Sequence, residues 1–292
     1  MEVELKLDGQ VFRVDLSAGK SIARTTSVVP TETPFDTSVI DTQSAPYRDG
    51  DFIGNVVAGG SCNVDVLKIN SHCCGTHTET VMHLLPSDAT IAEPTIASVC
   101  PTGLQLALVL TVETCSGAEA KHHNECFSAH ADSDDRLVSA AAISDALASA
   151  AQRLPRHYAA WNAAKTKSLV LRVAEDDPAR VTFPWSIKSS VAPYFTADSI
   201  ELLNGQSVAH LLVEFPSIDR VDDGGRLANH HKFWNIDQEA KNLAEAWPSK
   251  TITEMIEIPP SIADGLCLLS VQTPPIRTDA MLSRPVLFEL FE

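Results

Sequence analysis

Three stretches of the chain, residues 104–112, 168–173 and 208–215, are mostly apolar and lack the in–out alternation of a strand with one wet face. The first is nearly continuous, as a buried strand would be, and the other two read as further strands. Helical patterns separate them. Ile143, Leu147, Ala150, Ala151 and Leu154 keep helical spacing, with Ser144 placed as N-cap and Pro155 as the stop. Thr196 is placed to cap a short helix that ends at Asn204-Gly205, and further strands are expected over 251–257 and 266–271. Strands outnumber helices, but the interleaving predicts an α/β or α+β layered fold rather than a pure sandwich.

The N-terminus reads as a hairpin. Two alternating runs within residues 3–16 flank Asp8-Gly9, a dipeptide suited to a type I′ turn. Residues 26–50 are rich in Thr, Ser, Pro and Asp without periodicity, and the wider stretch 26–60 is expected to form a lid loop on a single domain spanning 1–292.

The 292 residues carry 38 acidic and 22 basic side chains, a formal charge of −16. Such a field repels phosphate backbones and anionic lipid, so neither nucleic acid nor a membrane surface is an expected partner. No stretch has the length of apolar sequence that a spanning helix needs. Seven scattered cysteines without a CxxC pair fit a reducing compartment, and the protein is expected to be cytoplasmic.

Chemistry concentrates in residues 70–83, Asn-Ser-His-Cys-Cys-Gly-Thr-His-Thr-Glu-Thr-Val-Met-His. His72, His77 and His83, two thiols and Glu79 are all ligand types for first-row metals. In extended backbone His77 and Glu79 project to one side, so they can grip a single ion. Gly75 allows a tight turn that brings an upstream ligand, His72 or Cys73, to the same place. A second carboxylate lies in an unusual position: Glu254 shares the face of Ile252 and Ile256, and is buried if that face is the core. Buried there, it needs a cation or strong hydrogen bonds, because desolvating the charge alone costs several kcal/mol.

His230 and His231 follow the turn Pro216-Ser217-Ile218-Asp219 and, being adjacent, point to different faces, so one of them is expected in a common site. His122 and His123, near Glu125 and Cys126, read as a solvated loop.

The run Gly75-Thr76-His77-x-Glu79-x-x-x-His83 resembles the HxGTHxDxPxH signature of the metal-dependent cyclase and hydrolase family that includes bacterial kynurenine formamidases. Pro216-Ser217-Ile218-Asp219 is similar to that family's PSxD turn, His230 to its later ligand histidine, and Glu254 in Thr-Ile-Thr-Glu to the carboxylate of its IxExL strand. The resemblance implies a swivelling β/β/α fold with a mixed, strand-rich sheet flanked by helices. It also implies a homodimer or homotetramer and a site for one or two divalent ions, zinc foremost and manganese as the alternative. By position it makes His77, Glu79, His230 and Glu254 ligands and His83 the catalytic acid and base. The first ligand position falls on Cys73. His72 suits an N/O site better, strand parity favours Cys73, and the choice stays open. Glu79 replaces the family's aspartate and Val81 its proline.

The implied chemistry is hydrolysis of a carbon–nitrogen amide bond in a small metabolite, a formamide or a cyclic amide, by metal-activated water. Ser217 and Asp219 would orient a ligand or the base. Cyclisation, dehydration or lactone hydrolysis on the same scaffold is the alternative. Two other readings compete: Cys73 or Cys74 as a nucleophile, and a non-catalytic protein whose ion only holds loops together. Trp234 is read either as an aromatic wall of the substrate pocket or as a core residue.

Overall fold

The computed structural model describes residues 1–25, 43–86, 93–127, 130–182, 192–240 and 242–292. Its centre is a nine-stranded mixed sheet. In chain order the strands are β1 (Lys20–Ser21), β2 (His77–Glu79), β3 (Gln105–Val112), β4 (Lys167–Val173), β5 (Val208–Val213), β6 (Thr251–Glu254), β7 (Gly265–Gln272), β8 (Ala280–Leu282) and β9 (Arg284–Glu289). In space they run β8-β2-β6-β5-β4-β3-β7-β9-β1. The four central strands β3 to β6 pair in parallel, and the remaining pairings are antiparallel.

Parallel neighbours need crossovers, and helices supply them. The helices among the described residues are α1 (Ile96–Val99), α2 (Gly117–His122), α3 (Ala140–Arg153), α4 (Pro155–Asn162), α5 (Ala197–Gly205) and α6 (Ala228–Trp234). α2 to α4 lie between β3 and β4, α5 between β4 and β5, and α6 between β5 and β6.

Strand parity divides the core into two layers. Leu108, Leu110, Leu169, Leu171, Leu211 and Ile252 pack against helices α3 to α6 and the N-terminal hairpin residues Phe12 and Val14. Ala107, Val109, Val170, Leu212 and Leu269 face the other way, covered by Ile96 of α1 and by Ile22, Ile256, Ile258 and Ile262. Both faces of the central strands are therefore dry, which is why their sequences do not alternate. The mixed α/β class expected from the interleaving is the one observed, with the longer helices gathered on one face.

The hairpin pairs Glu2–Leu7 with Gln10–Asp15, and both turn residues have positive φ, 45° at Asp8 and 75° at Gly9, as a type I′ turn demands. Helix α3 begins earlier than expected: Ser139, not Ser144, is its N-cap and accepts the Ala142 N–H at 3.1 Å. Pro155 ends α3 but also opens α4 at its first turn, where its missing N–H costs nothing. The strand expected over 251–257 stops at Glu254, because Met255 turns into the left-handed region at φ 57°. That kink sends Ile256 to the opposite layer from Ile252. Residues 26–42 of the expected lid lie outside the described residues; of the remainder, Gln43–Pro46 pairs with Asp65–Lys68 in an exposed two-stranded ribbon.

Candidate metal centre

β2 sits between β6 and β8, and its register sets the site: His77 lies opposite Glu254, and Glu79 opposite Ile252 and Ala280. Period-two geometry then puts His77, Glu79 and Glu254 on the helix-bearing face, all three buried. After β2, Thr80 caps a 3₁₀ turn, Val81–Leu84, through the Met82 N–H at 3.3 Å, and this turn carries His83 back beside Glu79. The loop before β2 brings in His72. Asn70 Oδ1 accepts the His72 and Cys73 N–H groups at 2.9 and 3.1 Å.

Helix α6 brings His230. The turn before it does two jobs. The Ile218 N–H donates to Glu254 Oε1 at 2.8 Å, and Asp219 accepts the Asn229 and His230 N–H groups at 2.7 and 3.2 Å while its Oδ2 meets His230 Nδ1 at 2.6 Å. Ser217 Oγ closes the turn by accepting the Asp219 N–H at 3.1 Å.

Glu79 is the hub. Its Oε2 is 3.2 Å from His72 Nδ1 and 4.0 Å from His83 Nε2, and its Oε1 is 2.8 Å from His230 Nε2. Glu254 stands 3.5 Å from His77 Nε2 and 3.6 Å from His230 Nε2. Three overlapping groups of possible ligands result among the described residues, His72/His77/Glu79, Glu79/His230/Glu254 and His72/His83/Asp279, with Glu79 common to the two buried ones. Asp279, just before β8, adds a third carboxylate, 2.9 Å from His72 Nε2 and 3.5 Å from His83 Nδ1. Sequence reading missed it, since only the β8–β2 pairing brings it here and no local pattern announces that pairing.

Three observations test whether these residues fit a divalent cation. Ligand atoms about 2.0–2.2 Å from one ion lie about 3–3.6 Å from each other; the histidine–carboxylate pairs here are 2.8 to 3.6 Å apart, and each group lies within 4.8 Å. Each of the three imidazoles also has its outer nitrogen on an oxygen: His72 Nε2 on Asp279, His77 Nδ1 on the Gly75 carbonyl at 3.1 Å, and His230 Nδ1 on Asp219. That pattern fixes ring orientation and leaves the inner nitrogen as donor to a metal. Finally, Glu79 Oε1 is buried without a hydrogen bond although His230 Nε2 is 2.8 Å away, so the two atoms are close but not aligned for one.

The electrostatics call for positive charge. Burial would discharge His230, yet the Glu79 and Asp219 carboxylates hold its imidazole charged well above the ordinary range. Burial also opposes ionisation of Glu79, but His83 and His230 overcome it and keep that carboxyl well below its usual value. Burial, then the Glu79 charge, pushes Glu254 up, and burial holds His77 down at about 4. A dication meets the same demand.

Other expected residues fall elsewhere. His231 turns away, its Nδ1 on the Ile236 carbonyl at 3.0 Å. Trp234 is a core residue, fully buried behind His230 and donating to the Lys250 carbonyl. Cys74 Sγ accepts the Asn70 N–H, and burial raises the Cys73 thiol, which disfavours a thiolate nucleophile. Glu125 caps the start of α3 from outside through the Ala140 and Ala141 N–H groups.

The structure is thus a mixed α/β layer with a buried His/Glu cluster, able to hold a metal ion, at the edge of its parallel strands. The model of the cyclase family, described as "Putative cyclase", matches residues 14–220, and the chain belongs to that family. Solved structures share the fold. A predicted metal-dependent hydrolase from Bacillus stearothermophilus is 11% identical with a TM-score of 0.54, over 92% of this chain and 97% of that one. Isatin hydrolase A from Labrenzia aggregata is 10% identical, TM-score 0.54, over 93% and 94%. Isatin hydrolase A from Ralstonia solanacearum is 14% identical, TM-score 0.52, over 94% and 92%. No curated protein matches the sequence.

Proposed function

We propose that the protein is a metal-dependent hydrolase that cleaves a carbon–nitrogen amide bond in a small molecule, a cyclic amide or a formamide. The observation that carries this reading is the convergence of His72, His77, His230, Glu79 and Glu254 with every imidazole backed by an oxygen acceptor. His72, His77 and Glu79 would hold one ion, and Glu79, His230 and Glu254 a second, zinc or manganese. A divalent ion bound there supplies Lewis acidity, polarising a carbonyl oxygen and lowering the pKa of a water toward about 7.

The chain's own residues do the rest. His72, His83 and Asp279 are the partly exposed members of the cluster, with side chains 24%, 25% and 30% accessible, so substrate approaches from their side. His83 Nε2, 4.0 Å from Glu79 Oε2, takes a proton from the attacking water and returns it to the leaving nitrogen. Asp219 keeps His230 in one orientation, and the Ile218 N–H does the same for Glu254. The names of the isatin hydrolases that share the fold support hydrolysis of a cyclic amide, and that of the predicted metal-dependent hydrolase supports a metal-dependent hydrolysis. Cyclisation, dehydration or lactone hydrolysis is the second reading, favoured by the family's own description as a cyclase. A homo-oligomer is also proposed, supported by the exposed apolar side chains Val57, Val66 and Leu67 on and beside the 43–68 ribbon.

The test is metal analysis of untagged protein beside Glu254→Gln and His77→Ala, followed by turnover of isatin, formanilide and a simple lactone. About one or two equivalents of zinc or manganese, lost in both variants, together with turnover of an amide, is the expected result. Protein that binds no divalent metal, or that turns over only the lactone, overturns it.

A further inference from the structure

Asp279 belongs to none of the motifs that define the site, yet it touches two of its imidazoles with one oxygen. Its backbone is fixed by β8: the Thr80 N–H donates to the Asp279 carbonyl at 2.9 Å, and the next residue, Ala280, lies opposite Glu79. Oδ1 is engaged by the Thr278 hydroxyl at 3.0 Å. Oδ2 is left facing His72 Nε2 at 2.9 Å and His83 Nδ1 at 3.5 Å. The two rings lie side by side, centroids 4.2 Å apart and planes inclined by 34°, so a single carboxylate spans both.

A carboxylate only accepts, so each ring nitrogen that faces it must carry the proton. The consequence differs for the two rings because they present opposite nitrogens. His72 becomes the Nε2–H form once its Nδ1, 3.2 Å from Glu79, gives its lone pair to the ion the two residues would share. His83 becomes the Nδ1–H form, and its Nε2, 4.0 Å from the same Glu79 oxygen and beyond hydrogen-bond reach of it, keeps its lone pair free. One ring is thereby prepared to ligate and the other to accept a proton.

We propose that Asp279 is a positioning residue of this site, setting His83 as the Nδ1–H tautomer so that Nε2 is the proton-accepting atom, and setting His72 as the opposite tautomer. The proposal rests on the reading of His83 as the base. It assigns Asp279 no contact with substrate.

Long-range nitrogen–proton NMR of the zinc-loaded protein with labelled histidine, near pH 8 where an ordinary imidazole is neutral, reads the tautomers directly. The His83 signal is identified by its loss in His83→Gln. The expected result is an Nδ1–H ring in the wild type, converting wholly or partly to Nε2–H in Asp279→Ala. An Nε2–H or doubly protonated His83 in the wild type overturns the proposal, whether or not the variant folds. An unchanged His83 tautomer in a folded, zinc-loaded Asp279→Ala overturns it as well.

Kinetics on the amide turned over give a second arm. At saturating zinc Asp279→Ala should lower kcat about 10- to 100-fold with KM little changed, Asp279→Glu should recover part of the loss, and Asp279→Ala should cost clearly less in a His83→Ala background than in the wild type, keeping only the part that acts through His72. Additive losses overturn the proposal. If His83→Ala alone leaves turnover intact, the base assignment fails, while the tautomer measurement still decides the role of Asp279.

Discussion

Asp219 meets His230 twice: its Oδ2 accepts the residue's backbone N–H at 3.2 Å and faces the ring Nδ1 at 2.6 Å. The backbone explains why one carboxylate serves both. Helix α6 starts after Leu227, a residue in the left-handed region that gives it no side-chain cap. The first N–H groups of the helix therefore look for an acceptor, and Asp219 supplies one from ten residues upstream. The same carboxylate that holds the start of the helix also orients the ring the helix delivers.

Asp219→Asn should therefore weaken metal binding more than it weakens the fold. Asparagine retains one oxygen for the helix N–H groups but loses the charge that favours a proton on Nδ1. Outer partners of ligand histidines are worth about 10- to 100-fold in metal affinity, and a loss of that size is expected by competition with a chromogenic chelator. An unchanged affinity would mean that Asp219 acts only as a helix cap.

Removing the ion should lower stability. Glu79 and Glu254 are both buried, and Glu254 is already pushed up by burial and by the Glu79 charge. At metal about 100-fold over Kd the linkage contribution is about 2.7 kcal/mol, or roughly 5 to 10 °C in Tm for a chain of this size. Chelator should lower Tm by about that amount and zinc should restore it. Glu254→Gln should start at or above the metal-free Tm, having lost a buried charge, and should not respond to zinc.

The helix start provides a test in which sequence and structure disagree. Ser139 accepts the Ala142 N–H, whereas Ser144 is exposed inside α3. Ser139→Ala should cost about 1 kcal/mol, the usual worth of an N-cap. Ser144→Ala should be neutral or stabilising by a few tenths, as alanine is the better helix former. Urea unfolding of the two variants separates these outcomes, and the reverse order would restore Ser144 as the cap.

What could be read from the sequence depended on whether the physics was local. The runs that became β3, β4 and β5 were legible because both of their faces are dry, so their composition alone marks them. The pairing of His77 with Glu79 was legible because a strand has period two. Glu254 was expected on a buried face with Ile252, and the structure buries it; Ile256 went elsewhere because Met255 breaks the period. His72 against Cys73 was not decidable, since residues 70–76 form turns with no period to extrapolate, and it is the Asn70 side chain that sets their path. β8 and β9 were missed because one is three residues long and the other contains Pro285, a residue that argues against a strand. With β8 went Asp279.

A final prediction concerns pH and a histidine outside the site. His210 lies on β5, 6% exposed, with Nδ1 at 2.9 Å from the Thr251 hydroxyl on β6. Burial lowers its pKa from 6.5 to about 4. Between these values the unfolded chain binds the proton and the folded chain does not, so stability is full above about pH 6.5 and falls as pH drops toward 4. From pH 7 to 5 this single group should cost about 2 kcal/mol. His210→Gln can keep a hydrogen bond to Thr251 but has nothing to titrate. Urea unfolding of both proteins at pH 7 and 5 should therefore show the wild type losing about 2 kcal/mol more than the variant, with the carboxylates and the other histidines common to both cancelling in the difference. Equal losses would mean that the folded protein already accepts the proton at pH 5, through an opening at the β5–β6 pair that admits water to the ring.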